Sequence, residues 1–162
     1  MTKPGPRERL LARLDAAWHG LNDAFAGLTP EQRQQPGVVE GWSVSDLMAH
    51  VTVWEHEALK HLPLIAQGGR PPKYSDTYGG INAFNAQNEA RWRTKSLGEI
   101  ERDFAETHQR LIDYLRSVPE ELLLSGTRFR RRLQLDAIGH YPIHTAHILE
   151  WRNRLDDASS SD

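Results

Sequence analysis

Histidine is the residue type whose spacing in this sequence most suggests chemistry. His140 and His144 lie four residues apart in the stretch IGHYPIHTAHILEW, so on a helix their rings share one face and can converge on one ion. A third histidine, His50, lies on the inward face of another predicted helix, where an imidazole needs either a hydrogen-bond partner or a metal. Spacing alone leaves open whether His50 is a ligand or a core histidine that donates to a backbone carbonyl.

A proline interrupts the histidine pair of the last helix. Pro142 lacks a backbone N–H and biases the residue before it away from helical angles, so we expect the helix either to kink or to begin there. If the helix begins at Pro142, His140 becomes a cap and the pair fails. His144 and His147 would still pair at three-residue spacing, and His147 is therefore the reserve ligand.

Three further side chains are weak candidates for acid–base chemistry. Glu57 lies seven residues after His50 and shares its helical face. Glu150 lies close to His147, and Tyr141 directly follows the first histidine of the pair. Each has an ordinary explanation, because carboxylates on helices are usually solvated and aromatic rings usually fill cores. The remaining histidines are predicted to be exposed: His19, His56, His61 and His108.

Two amphipathic segments are predicted in the first half of the chain. The first starts after Pro6 and places apolar residues three and four apart as far as Leu28, the periodicity of a buried helical face. The second runs from about Ser43 to about His61, because Ser43 and Asp46 form an acidic variant of the capping box. A short helical piece is expected between them at residues 29–32, and a long connection covers residues 67–80.

Two more amphipathic segments are predicted in the second half. One runs from Ile81 to Val118 and is expected to bend or restart at Ser96, which begins another capping box. The last runs from about Leu133 to about Leu155. The arginine cluster before it, at residues 128–132, could grip an anionic substrate or a phosphate, although a solvated loop or a subunit contact is the more usual explanation. Residues 156–162 are predicted to form a disordered acidic, serine-rich tail.

Composition limits the possible functions. The 162 residues carry a net charge of −2 and include no cysteine, so disulfides, thiolate ligands and a cysteine nucleophile are excluded. The balanced charge and the lack of a long apolar run predict a cytoplasmic protein with neither nucleic acid nor membrane among its partners. We expect one domain over residues 1–155.

Two segments resemble a known superfamily. GWSVSDLMAHVTVWE, which contains His50, is similar to the second helix of DinB/YfiT-like proteins, and HYPIH resembles the HYxxH stretch of their final helix. The middle of the chain resembles the ClbS/DfsB branch. The resemblance implies an all-α four-helix bundle, with short extra helical turns in the connections and with His50, His140 and His144 as ligands of a divalent metal.

The same resemblance implies a class of activity. Zinc or nickel suits three imidazoles better than magnesium does, and an open coordination position is typical of a catalytic site. Members of the superfamily include transferases that use a low-molecular-weight thiol and a branch of hydrolases, so a small electrophile or xenobiotic is the expected substrate. The alternative is a non-catalytic bundle, a homodimer that binds or sequesters a small molecule.

Overall fold

The molecule is a bundle of helices, described here by a computed structural model for residues 2–161. Four long helices form the bundle, and shorter helices lie in the connections. Their bounds are α1 Pro6–Phe25, α2 Pro30–Arg33, α3 Val44–Ala66, α4 Tyr74–Thr77, α5 Ile81–Trp92, α6 Leu97–Ser117, α7 Arg128–Leu133 and α8 His140–Ser160. A 3₁₀ turn covers Glu120–Leu123 and a π-helical segment covers Gln134–Ile138. Residues 2–161 contain no β-strand beyond an isolated bridge between Val39 and Trp42.

The long helices pack in two pairs around a common core. Helix α3 packs along α6, and α1 packs along α8. Leu14, Leu62, Leu111 and Ile148, one from each long helix, are all fully buried, as expected for apolar faces that meet in a bundle. The all-α four-helix architecture predicted from the sequence is confirmed. None of the described helices is both long and apolar enough to cross a bilayer.

Capping explains where the central helix begins. The Ser43 hydroxyl accepts from the Asp46 N–H at 3.1 Å, and the Asp46 carboxylate accepts from the Ser43 N–H at 2.9 Å, which satisfies two donors that the first turn leaves free. Asp46 also accepts from the Trp92 indole at 2.9 Å. The predicted start of this helix is therefore confirmed. The Asp46 carboxylate also links α3 to α5 through its hydrogen bond to Trp92.

Several predicted boundaries were wrong. Helix α3 continues to Ala66 with Pro63 inside it, beyond the expected end near His61. The restart predicted at Ser96, by contrast, is confirmed, because α5 ends at Trp92 and Ser96 caps a new helix, α6. The arginine stretch forms α7, whose N-cap is Thr127, rather than a loop.

The last helix also extends further than expected. Helix α8 continues to Ser160, so residues 156–160, which were expected to form a disordered tail, are helical in the structure. The hydroxyls of Ser159 and Ser160 donate to carbonyls one turn earlier, a local pattern that serine can adopt on a helix. Asp162 lies outside the described residues.

The π-helical segment settles the effect of Pro142. Gly139 donates to the Gln134 carbonyl at 2.8 Å, a bond that spans five residues, and α8 then begins at His140. Pro142 is thus the third residue of a helix, where a backbone N–H has no partner within the helix to lose. Because the helix begins before the proline, the four-residue spacing of His140 and His144 is preserved.

Candidate metal centre and adjoining cavity

Three imidazoles from two helices meet inside the bundle. His50 comes from the buried face of α3, and His140 and His144 come from the first two turns of α8. The Nε2 atoms of His50 and His140 are 3.1 Å apart, and those of His140 and His144 are 2.8 Å apart. One ligand nitrogen from each ring lies within 4.8 Å of the others. The structure therefore brings together all three histidines that the sequence singled out.

Burial keeps these imidazoles neutral. His50 and His144 are each 7% exposed. Burial lowers the pKa of His50 to about 3, of His140 to about 4 and of His144 to about 2, and charge on neighbouring imidazoles lowers the values of His50 and His144 further. Each ring keeps a free lone pair at neutral pH, which is the form that binds metal.

The donor set fits a transition metal. Nitrogens that share one ion at about 2.1 Å lie no more than about 4.2 Å apart, and the Nε2 atom of His140 lies within that limit of the Nε2 atoms of both His50 and His144. Neutral imidazoles suit zinc or nickel, whereas magnesium and calcium prefer oxygen ligands. His147 lies behind the cluster, with its Nδ1 atom 3.3 Å from the Nδ1 atom of His144.

A cavity of about 360 Å³ adjoins the histidine cluster. His50 and His140 form part of its lining. Trp54, Ile81 and Leu135 provide apolar walls, and the last two are 52% and 73% exposed, so they border open solvent. The remaining lining residues are polar: Tyr74, Asn85, Arg132 and Asp136.

A hydrogen-bonded network forms the polar end of the cavity. The Arg132 guanidinium donates to Asp136 and to the Tyr74 oxygen, both at 2.6 Å. The Tyr74 hydroxyl donates to Glu57 at 2.8 Å, and Glu57 lies 3.0 Å from the Nε2 atom of His61. Burial raises the pKa of Asp136 to about 6, although Arg132 opposes the shift. Burial likewise raises the pKa of Tyr74, so its hydroxyl stays protonated.

The three weak acid–base candidates lie in different surroundings. Glu57 is buried and reaches the cavity only through its bond to Tyr74. Tyr141 is fully buried, and its hydroxyl donates to Glu55 rather than lining the cavity. Glu150 is exposed on α8 and also lies outside the lining.

Two of the histidines expected on the surface are buried, so that prediction was wrong for His61 and His108. Each is paired with a carboxylate, His61 with Glu57 at 3.0 Å and His108 with Glu55 at 2.8 Å. The pairing satisfies an imidazole that would otherwise lose its hydration. His19 and His56 are exposed, as predicted.

Sequence reasoning missed the polar end of the cavity. Arg132 and Asp136 are four residues apart, a spacing that on a helix allows an ion pair, so one local signal was present. Tyr74 gave no signal, because it lies in the long connection and meets Arg132 only through the fold.

Comparisons with known proteins agree with this architecture. A family model described as the DinB superfamily matches residues 13–151. No curated protein matches the chain. The solved structure of DfsB, described as a sibling lethal factor precursor, has a TM-score of 0.76 at 18% identity and covers 92% of this chain and 96% of its own. An uncharacterised protein from Escherichia coli UTI89 has a TM-score of 0.75 at 14% identity over 94% of this chain and 96% of its own.

ClbS is a third similar structure, described as a colibactin self-resistance protein in complex with a dsDNA. Its TM-score is 0.74 at 16% identity, over 92% of this chain and 96% of its own. At such identities the likeness concerns the fold alone. The expected resemblance to the ClbS/DfsB branch is confirmed at that level. The DNA bound to ClbS does not agree with our prediction that this protein has no nucleic-acid partner.

Proposed function

The chain belongs to the DinB superfamily, and on that premise we propose that it is a divalent-metal-dependent enzyme with His50, His140 and His144 as the metal ligands. The reaction is transfer of a low-molecular-weight thiol to a small electrophile or xenobiotic, or hydrolysis of such a compound. The observation that carries the proposal is the approach of three neutral imidazoles, two buried and one half-buried, beside a cavity that can admit a small molecule. Zinc and nickel are the candidate ions.

Different residues of the chain have different roles in the proposed reaction. A zinc or nickel ion at the three histidines would supply Lewis acidity to a thiol, to water or to the electrophile. The apolar part of the reactant is shielded from water by Trp54, Ile81 and Leu135. Asp136 lines the same cavity and has a pKa of about 6, so its carboxylate can take up or return a proton near neutral pH.

The alternative is a non-catalytic, dimeric bundle that binds or sequesters a small molecule. The largely apolar walls of the cavity support it, since they would hold a ligand without any metal. The description of ClbS as a self-resistance protein also supports a protective role of either kind. Because that structure contains DNA, duplex DNA belongs among the ligands to be tested.

Metal analysis of protein purified without a histidine tag separates the two functions. The enzyme proposal predicts one zinc or nickel ion per chain and a metal-dependent stabilisation of about 2.7 kcal/mol at a free metal concentration of about 100 Kd. His144→Ala should abolish uptake while circular dichroism shows unchanged helix content. His19→Ala, a change at an exposed histidine, is the matched control and should bind metal normally.

Two results would contradict the enzyme proposal. Wild-type protein that takes up no transition metal, and whose melting temperature does not rise when metal is added, favours the sequestering bundle. Uptake that survives in His144→Ala removes His144 from the ligand set.

A further inference from the structure

The polar end of the cavity has few hydrogen-bonding groups left to offer a ligand. The Tyr74 hydroxyl is fully committed, because it donates to Glu57 and accepts from Arg132. Arg132 uses Nε for Asp136 and Nη2 for Tyr74, while its Nη1 makes no hydrogen bond to a described residue. Asp136 accepts through Oδ2, and its Oδ1 has no described partner. The uncommitted groups are therefore N–H donors of Arg132 and Asn85 and one carboxylate oxygen of Asp136, all on residues that line the cavity.

The charge of the network argues against an anionic ligand. Two carboxylates, Glu57 and Asp136, accompany the single guanidinium of Arg132. Burial and the nearby Arg132 lower the pKa of His61, so this histidine adds no charge at neutral pH. A ligand carboxylate would lie beside Asp136, whose side chain is 3% exposed, and like charges repel strongly where water is scarce.

Apolar surface continues from this polar end to the mouth of the cavity. Trp54 forms one wall, and its indole is held by Asn85 at 3.3 Å. Leu135 and Ile81 stand at the rim with more than half of their surface exposed. Ile81 and Leu135 together give this cavity an exposed apolar rim, and contiguous apolar surface of this kind marks ligand-binding grooves.

We propose that this cavity binds a neutral amide attached to an apolar body, with the amide oxygen accepting from Arg132 and the amide N–H donating to Asp136. An amide offers one acceptor for the free Arg132 N–H groups and one donor for the free Asp136 oxygen, and it carries no charge. The apolar body lies along Trp54, Ile81 and Leu135. The inference rests on the proposed function in one respect, since it takes this cavity as the reactant site beside the three histidines.

A matched pair of probes tests the inference: 4-phenylbutanamide and 4-phenylbutanoate, which differ only in the amide and the carboxylate. Binding is measured by NMR titration of the full-length, metal-free protein, with the Trp54 indole N–H signal as the readout. Metal is removed so that an ion cannot hold the carboxylate. We expect the carboxylate to bind about tenfold more weakly or worse. Equal or tighter binding of the carboxylate, or no binding of the amide, overturns the inference.

Two variants assign the preference to named residues. Asp136→Asn removes the repelling charge with little change of shape, so 4-phenylbutanoate should gain about tenfold in affinity relative to the amide. Leu135→Ser should weaken both probes by about three- to tenfold through lost apolar contact, and because Leu135 is 73% exposed, folding should be unaffected. Leu124→Ser, at a remote leucine that is 45% exposed, is the control. Unchanged affinities in both test variants overturn the inference.

Failure of this inference can be told apart from failure of the proposed function. His144 does not line the cavity, so His144→Ala should lose metal yet keep the amide preference. Wild-type protein that binds metal but prefers the carboxylate contradicts the inference alone. Protein that prefers the amide but takes up no metal contradicts the metal-dependent reaction alone.

Discussion

At the scale of single residues, the polar group that is buried deepest is Glu55 on α3. Its side chain is fully buried, and it accepts from Tyr141 of α8 and lies 2.8 Å from the Nδ1 atom of His108 on α6. Burial raises the pKa of Glu55. Trp18 of α1 stacks on His108 with 3.6 Å between ring centroids. One carboxylate thus connects three long helices, and the fourth covers the contact.

The Tyr141 hydroxyl makes a testable contribution to stability. Tyr141→Phe keeps the ring and removes one donor from a buried carboxylate, so we expect a loss of about 1–3 kcal/mol in the free energy of unfolding. Urea denaturation followed by circular dichroism measures it. Tyr114→Phe is the matched control, because the Tyr114 hydroxyl makes no hydrogen bond to a described residue. Equal losses in the two variants would show that the bond to Glu55 contributes nothing particular.

At the scale of elements, the π-helical segment before α8 decides where the last helix begins. A Cβ atom at Gly139 would lie 2.9 Å from the Gln134 carbonyl oxygen and 2.8 Å from the Gln134 Nε2 atom. The backbone oxygen cannot move without altering the five-residue hydrogen bond that closes the segment. Such segments are frequent at functional sites, and here His140 follows at once.

Gly139→Ala tests this role. We expect a loss of about 1–3 kcal/mol in the free energy of unfolding, the usual cost of overpacking, and weaker metal uptake because His140 must shift with the backbone. Thermal denaturation and metal titration provide the two measurements. Gly20→Ala, in α1, is the control, since a Cβ there meets no atom within 4 Å and alanine favours helix. A variant as stable as wild type would show that the segment tolerates a side chain.

At the scale of the whole molecule, the histidine cluster affects the pH dependence of folding. An unfolded histidine has a pKa of 6.5, whereas burial lowers the pKa of His50 to about 3, of His140 to about 4 and of His144 to about 2. As pH falls below 6.5, these three histidines become protonated in the unfolded chain but stay neutral in the folded chain. The lowered pKa values therefore reduce the free energy of unfolding at low pH and leave it unchanged above the unfolded pKa.

The expected result is a metal-free protein that loses stability between about pH 6.5 and about pH 4, with a slope of up to about 1.4 kcal/mol per pH unit for each such histidine. Urea denaturation at a series of pH values measures it. His144→Asn should reduce the slope, and His19→Asn, at an exposed position, should leave it unchanged. A slope that is the same in all three proteins would show that the cluster is not the cause.

Local sequence determined the helices and most of their starts. The capping boxes at Ser43 and Ser96 and the spacing of apolar residues act within one or two turns, so they can be read without knowing the fold. The same holds for His140 and His144, because a helix by itself places residues four apart on one face. The sequence also placed His50 on a buried face, which the structure confirms.

Only the tertiary structure decided which side chains meet. Residues 50 and 140 approach because α3 and α8 cross inside one bundle, and Tyr74 meets Arg132 because the long connection folds back over α3. No local pattern carries such a contact, since it depends on how whole helices pack. The burial of His108 escaped prediction for the same reason, because the carboxylate that satisfies its ring, Glu55, lies on another helix. His61 differs, because its partner Glu57 lies four residues earlier on α3, a spacing that the sequence shows, and only its burial depends on how the helices pack.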